Sequence, residues 1–242
     1  MSLALKMAAA TSYKQAVRAS VLMHFDGTNG STTMTDEYGK TCTAQGNAQI
    51  STANSKFGGA SLLLDGTGDY VSIQSFSDKV PGSSDFLLEC WVMPNSTASI
   101  RCIASTRDSA TSNGGYAFNS RITEAVGLVV WDSTGTIVVN INASVGALST
   151  AAFTHVGFMK VGTKWGLLVG GSVVATATET GTCGGAGTET FKWGRDATLL
   201  ARDFPGNIDE GRIVKGTQVP YIYQDALTSL SYTVPTAAFS KG

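Results

Sequence analysis

In this 242-residue chain the stretch "GGASLLLDGTGDYVSI" places Asp65 and Asp69 around Gly66 and Gly68, between two apolar runs. A metal loop, a sugar-binding loop and a tight turn would each look like this. An EF-hand is excluded, because no further acid follows at the offset its calcium ligands need. The turn reading predicts that the aspartates accept turn amides and that the glycines supply unusual backbone angles. Glycoside hydrolysis would need two carboxylates facing one cleft, about 5–9.5 Å apart. Glu89 is followed by "CWVMP" and Glu124 by "AVGLV", so neither opens a paired-acid pattern. A Ser-His-Asp triad could draw only on His24 or His155. Both lie inside apolar strand signals and neither neighbours a nucleophile motif, which favours satisfied core histidines. Tyr70, Tyr116, Trp131 and Trp165 are the candidates for an aromatic sugar platform. Tyr116 follows "TSNGG", and Trp131 is followed by Asp132 and a Ser-Thr-Gly turn, so Tyr116, Trp131 and Asp132 stand nearest loops. Aromatics at strand positions more often pack in the core.

Cys42, Cys90, Cys102 and Cys183 form no C-x-x-C pair, which argues against zinc. Reduced thiols are the main expectation, with a Cys90–Cys102 disulfide as the alternative. Charged residues are 14% of the chain, against about 25% in an average soluble domain. The formal net charge of -1 gives no global attraction to nucleic acid or to a membrane surface. No apolar run approaches the roughly 18 residues of a membrane span. The opening "MSLALKMAAATSYKQAV" lacks a basic start and is interrupted by Lys6, so export through it is not expected.

These residues must be held by strands. From residue 20 onward short strand signals recur with turn punctuation: "SVLMHF", "SLLLD", "YVSIQ", "FLLECWVM", "IRCIAST" and so on to "GNIDEGRIV". In "FLLECWV", Phe86, Leu88, Cys90 and Val92 alternate with Leu87, Glu89 and Trp91, which sets the two groups on opposite faces. Gly170-Gly171 joins two runs as a tight hairpin would. No long helical pattern separates the strands, so a parallel βαβ sheet is excluded. The prediction is an all-β sandwich of two antiparallel sheets packed about 10 Å apart. Residues 1–19 differ: Leu3 and Met7 fall at helical spacing, Lys6, Lys14 and Arg18 lie elsewhere on the wheel, and no acid precedes Asp26. This stretch reads either as a frayed end or as a helical or extended arm that docks on an acidic partner.

The segments "SVLMHFDGTNGSTTMTDEYGKT", "KFGGASLLLDGTGDYVSI", "DFLLECWVMP", "FTHVGFMKVGTKWGLLVGGSVVATAT", "FKWGRDA" and "GNIDEGRIVKGT" occur in one order. Together they resemble the laminin-G-like, concanavalin A-type jelly-roll modules of bacteriophage virion proteins, over roughly residues 20 to 239. The closing "YTVPTAAF" is similar to that family's last strand and tail. Cys90 replaces a common aromatic and Phe153 a common tryptophan, one apolar core residue for another. Enzymes of this superfamily carry E-x-D-x-x-E on one strand, and the chain has no such motif, so no enzymatic activity is expected. Many members bind calcium where an early strand meets the final strands. The matching residues here are Asp26 in "HFDG" and Asp209 in "NIDEG", with turn capping as the competing role. No other cofactor is implied.

The resemblance implies a non-enzymatic virion structural protein, assembled in the host cytoplasm. A jelly roll from residue 20 to 242 with a short arm fits a capsid decoration protein on the particle exterior. Its expected partners are the major capsid protein or another virion protein, and copies of itself, with a trimer as the guess. The docking arm would act through Leu3, Lys6, Met7, Lys14 and Arg18. The alternative is a tail-associated module that binds a host surface glycan through Tyr116, Trp131 and Asp132.

Overall fold

Runs of β-branched and aromatic residues, broken by glycine-rich turns, cannot bury two faces alone and so pair into sheets. The computed structural model describes residues 18–74, 76–107, 114–123, 125–143, 146, 148–184, 190–196 and 202–241. In chain order the strands are β1 (Val21–Met23), β2 (Cys42–Gln45), β3 (Gln49–Ser51), β4 (Ser61–Asp65), β5 (Tyr70–Ile73), β6 (Phe86–Pro94), β7 (Arg101–Ser105) and β8 (Gly115–Ser120). They continue as β9 (Val126–Trp131), β10 (Ile137–Asn142), β11 (Thr154–Val161), β12 (Lys164–Val169), β13 (Ser172–Thr178), β14 (Phe191–Trp193) and β15 (Pro205–Lys215). The first sheet runs β13-β12-β11-β6-β15-β4-β3, with β1 also on β15. The second runs β10-β9-β8-β7-β14-β5-β2. Pairing along both paths is antiparallel. The chain is thus the all-β jelly-roll sandwich that its sequence resembles.

The main core lies between the sheets. Phe86, Leu88, Cys90 and Val92 of β6 point into it and meet Ile103, Phe118, Leu128 and Val130 from the second sheet. Each fully buried side chain of this size contributes roughly 1.5–3 kcal/mol. The β12–β13 hairpin turns through Gly170 and Gly171 at φ 54° and 97°, angles that glycine takes without a steric cost.

The outer face of the first sheet is also covered, which strand alternation did not reveal. Leu22, Leu87, Met159, Leu168 and Val214 form a second apolar cluster with Val219, Tyr223, Ala226, Tyr232 and Phe239. The cover is a helix, α1 (Tyr221–Ser229), and the tail that follows it. Pro220 precedes the first turn, and Leu230 in the left-handed region ends the helix while donating its N–H to the Ala226 carbonyl. "YTVPTAAF" is therefore not a last strand. Only Ser231 forms a bridge, to Ser172, and Tyr232 donates its N–H to the Gly171 carbonyl at 2.9 Å. No helix among the described residues is long and apolar enough to cross a membrane.

Candidate functional site

Beneath α1 the first sheet carries a buried ionic network. Glu89 on β6 is fully buried; Arg212 Nε donates to its Oε1 at 2.5 Å and the Tyr223 hydroxyl to its Oε2 at 2.5 Å. His155 Nε2 lies 2.9 Å from Oε2 without the alignment of a full hydrogen bond. Its Nδ1 is bonded to the Tyr232 hydroxyl at 2.7 Å. The pairing puts His155 opposite Trp91 on β6, and Asp209 opposite Trp91 on its other side. Burial pushes the Glu89 carboxyl up, but Arg212, His155 and Tyr223 outweigh it and hold the group at about 2. An ionised carboxylate locked in this way neither attacks a substrate nor trades protons near neutral pH. His155 is a partnered core histidine. His24 pairs with Glu210 at 2.8 Å, which raises its imidazole above the usual value.

At the edge of this face, Asp26 and Asp209 hold one loop. Asp209 Oδ2 accepts the amides of Lys56 (2.6 Å) and Phe57 (3.2 Å), and Asp26 accepts that of Ala60. Gly58, at φ 65°, passes so close that a Cβ would collide with the Asp26 carboxylate. Glu210, itself in the left-handed region at the β15 bulge, takes His24 and the Phe239 amide. These donors do not fit a calcium ion, which wants six to eight oxygens. Of these carboxylate oxygens Asp209 Oδ1 is buried without a hydrogen-bond partner, and no three His, Cys, Asp or Glu among the described residues group to hold a metal. The two aspartates serve this loop as amide acceptors.

Burial pushes the Asp209 carboxyl up from 3.8 to about 7, against the pull of the Lys56 and Phe57 amides. A carboxyl raised on folding is favoured in its protonated form. Its ionisation therefore costs stability progressively as pH climbs from about 4 through 7. Asp209→Asn should match the wild type near pH 4 and exceed it at pH 8 by on the order of 2–4 kcal/mol. Urea unfolding at both pH values measures this, and an equal difference at the two would refute it.

The turn "DGTGDY" has unequal aspartates. Asp69 is buried; its Oδ1 accepts the Asn47 amide at 2.5 Å and its Oδ2 the Asp65 amide at 2.8 Å. Asp65 is exposed and caps Thr67 N at 2.7 Å. Gly66 and Gly68 take φ 87° and 84°. Gly68 N donates to Asp203 Oδ2 at 2.7 Å, and Arg195 forks onto Asp203 at 2.8 and 2.6 Å while lying 4.5 Å over the Tyr70 ring. The stretch is a braced turn, and an open cleft of about 380 Å³ borders it.

The aromatic candidates separate. Tyr116 cannot be a sugar platform: it is fully buried between the sheets, its ring 4.9 Å from that of Phe158. Trp131 is half-buried with Arg107 stacked 3.9 Å over its ring. Asp132 stands beside it but ties its own turn through Thr134 N (2.8 Å) and Thr136 N (2.9 Å). Trp165 is buried and donates to Glu179. All four cysteines are free, with Cys90 and Cys102 on different sheets, so the Cys90–Cys102 disulfide does not form. Of the arm, Leu3, Lys6, Met7 and Lys14 lie outside the described residues, as does Glu124; Arg18 is exposed. Thr32, Asn47 and Gln49, which line the cleft, carried no sequence signal, since isolated polar residues beside turns are ordinary.

The family model for the concanavalin A-like lectin/glucanases superfamily matches residues 65–218, more than half of the chain. No curated protein matches this chain. Among solved structures, the binding domain of Paraclostridial Mosquitocidal Protein 1 is similar at TM-score 0.64 and 12% identity, over 82% of this chain and 49% of that one. Domain 4 of AbnA, a GH43 extracellular arabinanase from Geobacillus stearothermophilus in complex with arabinotriose, gives 0.62 and 16%, over 90% of this chain and 100% of the domain. The binding domain of botulinum neurotoxin serotype G gives 0.61 and 12%, over 86% and 51%. The chain thus spans about half the length of the two toxin domains. At these identities the likeness is one of fold.

Proposed function

Because the chain belongs to the concanavalin A-like lectin/glucanase superfamily, we propose that it is a non-catalytic recognition module serving as a bacteriophage virion structural protein, a capsid decoration protein on the particle exterior. One observation carries the non-catalytic part. Five of the buried acids, Glu89, Asp69, Asp203, Asp209 and Glu210, each hold a cation or a backbone amide, which supports reading the sandwich as a scaffold. The virion part is supported by the order of motifs from "SVLMHF" to "GNIDEGRIV" and by the locally basic arm. In this reading residues 1–19 contact the major capsid protein or another virion protein, and copies of the sandwich associate, with a trimer as the working assignment. Deleting residues 1–19 should leave a folded domain that no longer joins particles, read by circular dichroism and by the protein content of purified particles. Full incorporation of the deletion would overturn the assignment.

A second reading, tail-associated binding of a host glycan, is favoured by the likeness to a domain in complex with arabinotriose over 90% of this chain. A few copies at the tail, rather than many over the head, would support it.

A further inference from the structure

We propose that the open cleft beside the braced turn is a binding site for a neutral saccharide; this rests on the glycan-binding reading and relocates its contact away from Trp131. The cleft lies at the β3 edge of the first sheet and is an open, mostly polar depression of about 380 Å³. Its polar lining comes from Thr32, Asn47, Gln49, Asp65 and Asp69. Gln49 is paired in register with Leu63, whose half-buried side chain also lines the cleft and gives an apolar surface for sugar C–H groups.

Three features suit a polyol. First, the cleft carries two amides, a hydroxyl and an exposed carboxylate, groups that together donate to and accept from vicinal hydroxyls. Asn47 Nδ2 reaches Asp65 Oδ2 at 3.3 Å, and Gln49 Nε2 reaches the Asn47 carbonyl at 3.4 Å. Both contacts are long, and they leave the two amide oxygens for a ligand. Second, the walls are fixed before any ligand arrives. Asp69 is buried and holds the Asn47 and Asp65 amides. Gly68 is clamped by Asp203. The loop carrying Thr32 is pinned to β3 by Gly30 N–Ile50 O and Ile50 N–Ser31 O, both at 2.8 Å. A preorganised site loses less entropy on binding. Third, two carboxylates and no lysine or arginine line the cleft. That field repels sialylated or other acidic sugars and leaves neutral ones as the fitting class.

The test titrates arabinotriose, xylotriose, maltotriose and galactotriose, with sialyllactose as the anionic comparator, into the 242-residue chain labelled for amide NMR. At least one neutral trisaccharide should shift the amides of Gly46, Asn47 and Gln49, and sialyllactose should not. The double variant Asn47→Ala/Gln49→Ala should weaken binding about tenfold, the loss expected for two side-chain hydrogen bonds. Trp131→Ala should leave the affinity within about twofold, since its side chain lies outside the cleft. Binding lost in Trp131→Ala but kept in the double variant would overturn the cleft while sparing the glycan reading. No shift with any neutral trisaccharide would overturn the cleft and the glycan reading together, and would leave the decoration reading standing.

Discussion

Glu89→Ala should destabilise the protein by about 3–5 kcal/mol, the loss expected when one partner leaves a buried ion pair. The reason is what remains behind. Arg212, His155 and the Tyr223 hydroxyl all converge on this carboxylate, and each would be left facing a low-dielectric cavity. Glu89→Gln keeps the shape and some acceptor capacity, so it should lose less than Glu89→Ala and separate charge from packing. The same network sets an acid limit. A carboxyl held at about 2 contributes stability that is fully present above its ordinary value of 4.5 and disappears as pH falls through 2. Urea unfolding at pH 7 and pH 3 reads both effects. A loss below 1 kcal/mol for Glu89→Ala at pH 7 would show that the network does not hold α1 against the sheet.

The second large effect belongs to the main core. Phe158→Ala should cost about 3–5 kcal/mol, the range for emptying a large buried aromatic site. Its ring sits 4.9 Å from Tyr116, 5.5 Å from Phe118, 5.7 Å from Phe86 and 6.1 Å from Trp165. Tyr116 and Phe118 belong to the second sheet, the others to the first, so this one side chain couples the two layers. The surrounding rings are held by strands on both sides and cannot collapse far into the gap. For a chain of this length the melting temperature should fall by roughly 6–20 °C. Phe158→Leu, which retains most of the volume, should recover much of the loss. If Phe158→Ala melted within a degree or two of the wild type, the cluster would not be the packing centre the structure describes.

Neither Glu89 nor Phe158 announced its role in the sequence. Phe158 was legible only as part of the strand signal "THVGFMKV". Glu89 was legible only as a member of the outward set with Leu87 and Trp91. Its partners lie 123 and 134 residues away, at Arg212 and Tyr223, and no local spacing encodes a contact at that range. The nine-residue α1 escaped notice because it is short and ends without glycine. Its neighbour, the tail, was expected as a last strand from the family resemblance, yet the sheet edge gave it a single bridge.

By itself the sequence determined the sandwich: alternation chose the inner faces, glycine pairs chose the hairpins, and turn chemistry placed Asp65, Gly66, Gly68 and Asp69. Those are local properties of the backbone and of side chains a few residues apart. Long-range packing settled what covers the second face, which aspartate is buried, and that Asp26 and Asp209 grip a loop. It also buried Tyr116 and gathered Thr32, Asn47, Gln49 and Asp65 around one cleft. These outcomes depend on which strand ends and loops arrive at the same point, and a period of two residues specifies a face but not its neighbour.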